Sequence, residues 1–197
     1  MYSQNNEEEI IAELLKQLKP RHKFLVDIGA GDGYTLSNTR ALLDSGWHGL
    51  LIDGNGRGNK DVVEAWITAD NILDLLACCP LDFDLLSIDI DGNDYWILDR
   101  ILTNYRPRIV VCEINGCLDG LKVMPYNKDH RWNGDDYYGF SYEAGCFLAT
   151  KHGYHVCGQT DALNLYLATE QVDLNLPPFR RTQYHRPSNR TDWTFPQ

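Results

Sequence analysis

Three alternating glycines follow an acid in the stretch VDIGAGDGY, Val26 to Tyr34. Glycine-rich turns of this kind leave a strand, open a helix and let the backbone close on a nucleotide-like cofactor. A dinucleotide fingerprint requires GxGxxG. Gly29 and Gly31 satisfy it, but Tyr34 stands where the third glycine belongs and Gly33 comes one residue early. The acid before the loop, Asp27, would oppose a pyrophosphate and favour a cationic end. S-adenosylmethionine carries an ammonium and a sulfonium and has no phosphate, so Asp27 and Asp32 suit it on electrostatic grounds. NAD remains an alternative on the same loop.

Further acids follow at intervals. Asp53 ends LLID, about twenty residues past the loop, where a carboxylate accepts ribose hydroxyls of either cofactor. Asp70 and Asn71 in ITADNI are candidates for the adenine amino group, with helix capping the competing role of Asp70. The segment SIDIDGND supplies Asp89, Asp91 and Asp94, and Glu113 follows one strand later. The glycine position and the missing closing Glu exclude an EF-hand. Asp89 is the first candidate to accept a proton from a hydroxyl nucleophile, with Glu113 and His130 next. Asp89, Asp91 and Glu113 together are candidate ligands for a hard divalent ion such as magnesium. Asp94, placed before an apolar periodic run, is expected to cap a helix.

The elements that must position these residues alternate. A leading amphipathic helix is expected over Glu7–Lys19, stopped by Pro20. Strands are expected at Phe24–Ile28, Gly49–Ile52, Ala65–Thr68, Phe83–Asp89 and Ile109–Ile114, with helices at Tyr34–Ser45, Ile72–Leu76 and Asp94–Thr103 between them. This pattern predicts an α/β fold, a Rossmann-like doubly wound sheet with helices on both faces. A helix at Tyr142–Lys151 and strands at Tyr154–Gly158 and Ala162–Ala168 complete it, with an antiparallel strand expected at the C-terminal end.

Three blocks, FLVDIGAGDGYTLS, LLSIDIDGND and RPRIVVCEIN, together resemble the class I S-adenosylmethionine-dependent methyltransferases, and within them the FkbM-like family. The resemblance spans roughly residues 20 to 116. It implies a cofactor site at Asp27, Gly29, Ala30, Gly31, Gly33, Asp53, Asp70, Asn71 and Asp89, and it implies methyl transfer. The absence of an NPPY-type motif after the fourth strand favours an oxygen acceptor on a small molecule, sugar or glycan. Asp91 stands where that family carries Glu, and residues 117–141 align with nothing in it. A methyltransferase-like binding module without activity is the non-enzymatic alternative.

The chain of 197 residues fits one domain: leading helix 1–19, cofactor core 20–116, lid or substrate loop 117–141, C-terminal helix and strands 142–176, and tail 177–197. The loop carries Tyr126, His130, Arg131, Trp132, Asp135, Asp136, Tyr137 and Tyr138, with Gly134 and Gly139 as hinge candidates. Its aromatics either fold over a substrate or fill the core beneath. The tail concentrates Arg180, Arg181, Arg186 and Arg190 among aromatics, as an arm packed on the domain or a patch for an anionic partner. A net charge of -10 disfavours nucleic acid. The lack of a signal sequence or an 18-residue apolar run predicts a cytoplasmic chain with no membrane span and reduced cysteines.

Overall fold

The computed structural model describes residues 2–183 and 186–195; Met1, Tyr184, His185, Pro196 and Gln197, which belong to the expected leading and tail segments, lie outside the described residues. Strands β1 (Phe24–Ile28), β2 (His48–Asp53), β3 (Val62–Glu64), β4 (Leu85–Ile88) and β5 (Ile109–Glu113) run parallel, and β6 (His155–Thr160) and β7 (Asn164–Ala168) complete the sheet. The spatial order is β3-β2-β1-β4-β5-β7-β6. Strand β7 is antiparallel to both β5 and β6. The fold is the expected Rossmann-like doubly wound sheet, mostly parallel, with reversal confined to the C-terminal hairpin. Consecutive left-handed residues, Asp161 (φ 48°) and Ala162 (φ 57°), make that hairpin's turn and shorten the expected last strand.

Strands β4, β5 and β7 are buried along their whole length, as continuous apolar runs covered on both faces should be. Side chains alternate between two cores. Val26 and Ile28 pack with α3 (Ile72–Leu75), α4 (Asp94–Asn104) and α5 (Tyr142–Lys151), while Leu25 packs with α1 (Glu7–Leu18) and Trp47 on the other face. The Ser141 hydroxyl caps α5 by accepting from the Ala144 amide at 3.1 Å. Lys19 leaves α1 in a left-handed conformation just before Pro20, which has no N–H to continue it.

Two expectations are corrected. The helix after the glycine loop, expected over Tyr34–Ser45, is only α2 (Arg40–Asp44). Leu36 is left-handed (φ 58°), and the Ser37 hydroxyl accepts from the Thr39 and Arg40 amides, so local side-chain bonds displace the helical ones. The third strand lies at Val62–Glu64, paired with Leu51–Asp53, rather than at Ala65–Thr68. Residues 65–68 run beyond the sheet and carry Trp66 to the ligand side.

All six cysteines are free thiols. Among the described residues, no helix is long and apolar enough to cross a membrane.

Candidate functional site

The carboxyl ends of β1, β2 and β4 open onto one cavity of about 470 Å³, in the place where doubly wound sheets bind ligands. The glycine loop forms one side. A Cβ on Gly29 would lie 1.6 Å from the Asp89 carbonyl oxygen, so this glycine lets the loop cross the end of β4. Gly31 has the opposite surroundings: a Cβ there would meet nothing within 4 Å, and its φ of 56° favours glycine. The cavity therefore reaches the bare backbone at Gly31. Ala30 also lines it, whereas Gly33 faces away, packed against Asn59, Leu51 and Val62.

The acids divide by environment. Asp27, 5% exposed, accepts from the Thr39 hydroxyl at 2.6 Å. Burial pushes its carboxyl up to about 6; the Thr39 bond opposes the rise, the Asp53 charge adds to it, and a bond with Ser87 opposes it. Asp53 accepts from the amides of Gly31 (2.8 Å) and Asn55 (2.7 Å), tying the end of β2 to the glycine loop. Asp32 instead spends both oxygens on the Tyr34 and Thr35 amides and the Thr35 hydroxyl. Those bonds hold it down at about 2, and it does not reach the cavity lining.

Beyond β4 the chain turns through Asp89–Asn93. Asp94 opens α4, but its carboxylate reaches back to the amides of Ile90 and Gly92, both at 2.8 Å, and not to the helix's own first turn. The expected cap is thus a brace for the turn. The brace brings Asp91 beside Asp89, and an oxygen of each lies within 4.8 Å of one on Glu113, the last residue of β5. Asp89 itself is exposed and lines the cavity, while Glu113 behind it is buried.

Burial, reinforced by Asp94 and Asp91, pushes Asp89 up to about 8, against a hydrogen bond with Glu113. Glu113, 7% exposed, is driven well above the carboxylate range by burial and by the charges of Asp89, Asp94 and Asp91. Glu113 therefore keeps its proton beside Asp89, because two carboxyls in one crowded site do not both ionise. Its Oε2 is buried without a hydrogen-bond partner among the described residues.

His130 and Arg131 from the 117–141 segment close another side of the cavity. The His130 ring lies against Gly92, where a Cβ would come within 2.6 Å of it. Burial lowers its pKa, so the imidazole is neutral, and its Nε2 is unpartnered among the described residues. The Arg131 guanidinium covers the Trp66 ring at 4.4 Å. Asp70 and Asn71 stand outside the lining: Asn71 donates to the Trp66 carbonyl at 2.8 Å and accepts from Thr68. Trp66, Ile67, Ser87 and Arg57 line the cavity without having been singled out in the sequence. Trp66 was legible only to a reading that ended the third strand before it.

The 117–141 segment is pinned along its length. Trp96 Nε1 donates to the Met124 carbonyl at 2.7 Å, Asn93 exchanges hydrogen bonds with the Asn127 backbone, and Asn115 Nδ2 donates to the carbonyls of Asp136 and Tyr138. Val123, Met124, Tyr138 and Phe140 are buried, so part of the segment fills the core while His130 and Arg131 face the cavity.

No family model and no curated protein matches the chain. Among solved structures, it is similar to a candidate hemolysin from Lactococcus lactis, at 17% identity and TM-score 0.51 over 86% of this chain and 89% of that one. It is also similar to the Burkholderia thailandensis 1,6-didemethyltoxoflavin-N1-methyltransferase, which holds S-adenosylhomocysteine (16% identity, TM-score 0.47, 83% and 78% covered). A third is the Synechocystis magnesium protoporphyrin IX methyltransferase bound to S-adenosylmethionine (12% identity, TM-score 0.48, 83% and 78% covered). The likeness is one of fold.

Proposed function

We propose that the chain transfers a methyl group from S-adenosylmethionine to a hydroxyl oxygen of a small molecule, as the FkbM-like resemblance of its three blocks implies. The observation that carries this reading is a buried acid, Asp27, and a second acid, Asp53, lining one cavity beside the glycine loop. A cofactor with an ammonium at one end and a ribose at the other matches that pair, and a pyrophosphate beside Asp27 does not. Asp53 has lone pairs left for ribose hydroxyls after holding its two amides, Gly31 admits the cofactor against bare backbone, and Ile67 and the Arg131-covered Trp66 add apolar surface to the same lining. Asp70 and Asn71 then act on the base only through the loop they shape.

When bound, S-adenosylmethionine supplies an electrophilic methyl whose sulfur leaves neutral. The chain's own task is to hold the acceptor in line and take its proton. Asp89, once ionised, is the proton acceptor, placed just past β4 in the cavity lining with Glu113 behind it, so transfer is expected to rise with pH through about 8. In a labelled-methyl transfer assay over hydroxylated acceptors, at saturating S-adenosylmethionine, Asp89→Ala is expected to slow transfer about a hundredfold or more. Full turnover by that variant would overturn the assignment.

A divalent ion such as magnesium is a second element of the reading, favoured by the unpartnered, buried Oε2 of Glu113 beside Asp89 and Asp91. The three carboxylates would hold it, and it would polarise an acceptor oxygen. Magnesium binding that Glu113→Gln abolishes supports this element. No binding at millimolar magnesium removes it and leaves the cluster a proton-sharing network.

A further inference from the structure

A second cavity of about 440 Å³ adjoins the first, within the range of small-ligand pockets, and His130 lines both. Its walls come from the 117–141 segment and from tail residues 188, 190 and 192, neither of which the cofactor cavity requires for its floor. The tail is built into this wall. Val123 and Thr194 exchange backbone hydrogen bonds at 2.9 Å, the Ser188 amide donates to Asp136 at 2.6 Å, and the Tyr137 hydroxyl donates to Asp192 at 2.9 Å. Trp193 packs on Tyr137 with ring centroids 5.0 Å apart.

The charge of this cavity selects its ligand. Arg190 lies over the Tyr137 ring at 4.1 Å and is neutralised by two bonds to Asp192, at 2.8 and 2.6 Å. Arg190 is the one guanidinium or ammonium among the described lining residues and Asp192 occupies it, while Asp135 adds a further negative charge, so nothing in the lining favours a phosphate or carboxylate. What remains is the Asn127 and Asn133 amides, the Ser188 hydroxyl and the Asp135 carboxylate beside the exposed ring of Tyr126, the Tyr137 ring being covered by Arg190 and Trp193. That combination suits the edges and faces of an uncharged polyhydroxylated ring. At the junction, the His130 side chain, packed on Gly92, is shared by the walls of both cavities.

We propose that this second cavity is the acceptor subsite, that it takes an uncharged sugar or glycoside, and that residues 186–195 form part of it. The word acceptor rests on the methyl-transfer reading; the carbohydrate binding does not.

Saturation-transfer NMR on the full chain with S-adenosylhomocysteine tests it, using methyl glucosides, methyl galactosides and myo-inositol as probes and glucose 6-phosphate and glucuronic acid as charged controls. Signals from uncharged probes are expected, at least several-fold stronger than from the charged ones. They should be lost in a chain ending at Gln183 and weakened in Asp135→Ala, with S-adenosylhomocysteine affinity unchanged in both. If no uncharged probe binds, if charged probes bind equally well, or if binding survives both variants, the proposal is overturned. Failure of S-adenosylhomocysteine to bind the full chain would instead strike the methyl-transfer reading and leave the probe result to judge the subsite alone.

Discussion

The two cavities are made in opposite ways. The first is the end of a sheet: Asp27, Asp53 and Asp89 sit at or just past three parallel strands, and the backbone turns that separate them are fixed by glycines and by carboxylate-to-amide bonds over short stretches of chain. The second is the gap between two irregular segments, held by side chains reaching across tens of residues, such as Asn93 to Asn127 and Tyr137 to Asp192. The difference assigns roles. A pocket built from strand ends keeps its shape when its surroundings vary and suits an invariant cofactor, whereas one built from a loop and a tail can change its ligand without disturbing the sheet.

The sharpest way to break this contrast is at the glycine loop. Gly29→Ala drives a Cβ into the Asp89 backbone and is expected to cost at least about 4 kcal/mol, read by urea unfolding. Gly31→Ala meets no protein atom. It is expected to cost about 1 kcal/mol for its left-handed backbone while weakening S-adenosylmethionine binding about tenfold or more, because the methyl projects into the cavity. Equal stability losses at the two positions would erase the distinction between a structural and a ligand-facing glycine.

Asp27 gives the next effect, with opposite signs for stability and binding. A buried carboxyl raised to about 6 binds protons in the folded state that the unfolded state has already released. Its stability contribution is therefore complete below the unfolded pKa and is lost as pH rises to about 6. Asp27→Asn should remove that penalty, raising stability at pH above 6 by as much as about 3 kcal/mol and flattening the pH dependence between 4 and 6, while cofactor affinity falls. A loss of stability at neutral pH would contradict the burial argument.

In the anchorage of the 117–141 segment, Asn115→Ala removes the amide that holds the Asp136 and Tyr138 carbonyls and should cost about 2 kcal/mol. Faster hydrogen exchange in residues 117–141 with unchanged S-adenosylmethionine affinity would show that the two cavities are energetically separate. The smallest change is expected for Arg181→Ala. It breaks a half-exposed pair with Glu143 and a bond to the Leu118 carbonyl, and should shift stability by no more than about 1 kcal/mol.

The same contrast explains what could be read from the sequence. The strand-end site was legible because its signals are local: an apolar run, an acid and a glycine at fixed spacing define β1 and its loop, and Asp53 and Asp89 follow from the ends of their own runs. Trp66 was hidden because the β-branched pair Val62–Val63 forms β3 and leaves residues 65–68 past the sheet edge. Asp70 and Asn71 were drawn toward the cofactor by the same displaced strand. The 117–141 segment offered composition without periodicity. Its shape depends on partners such as Trp96 and Asn115 that lie in other elements, and although the tail's aromatics point to an arm packed on the domain, nothing in the sequence marks Val123 as its partner.

The most direct test of the central claim is calorimetric titration of the full chain with S-adenosylmethionine, S-adenosylhomocysteine and NAD in parallel, each with and without magnesium. The account predicts micromolar binding of the first two, lost in Asp27→Ala, and none of NAD. Binding of NAD alone, or of none of the three, would contradict it.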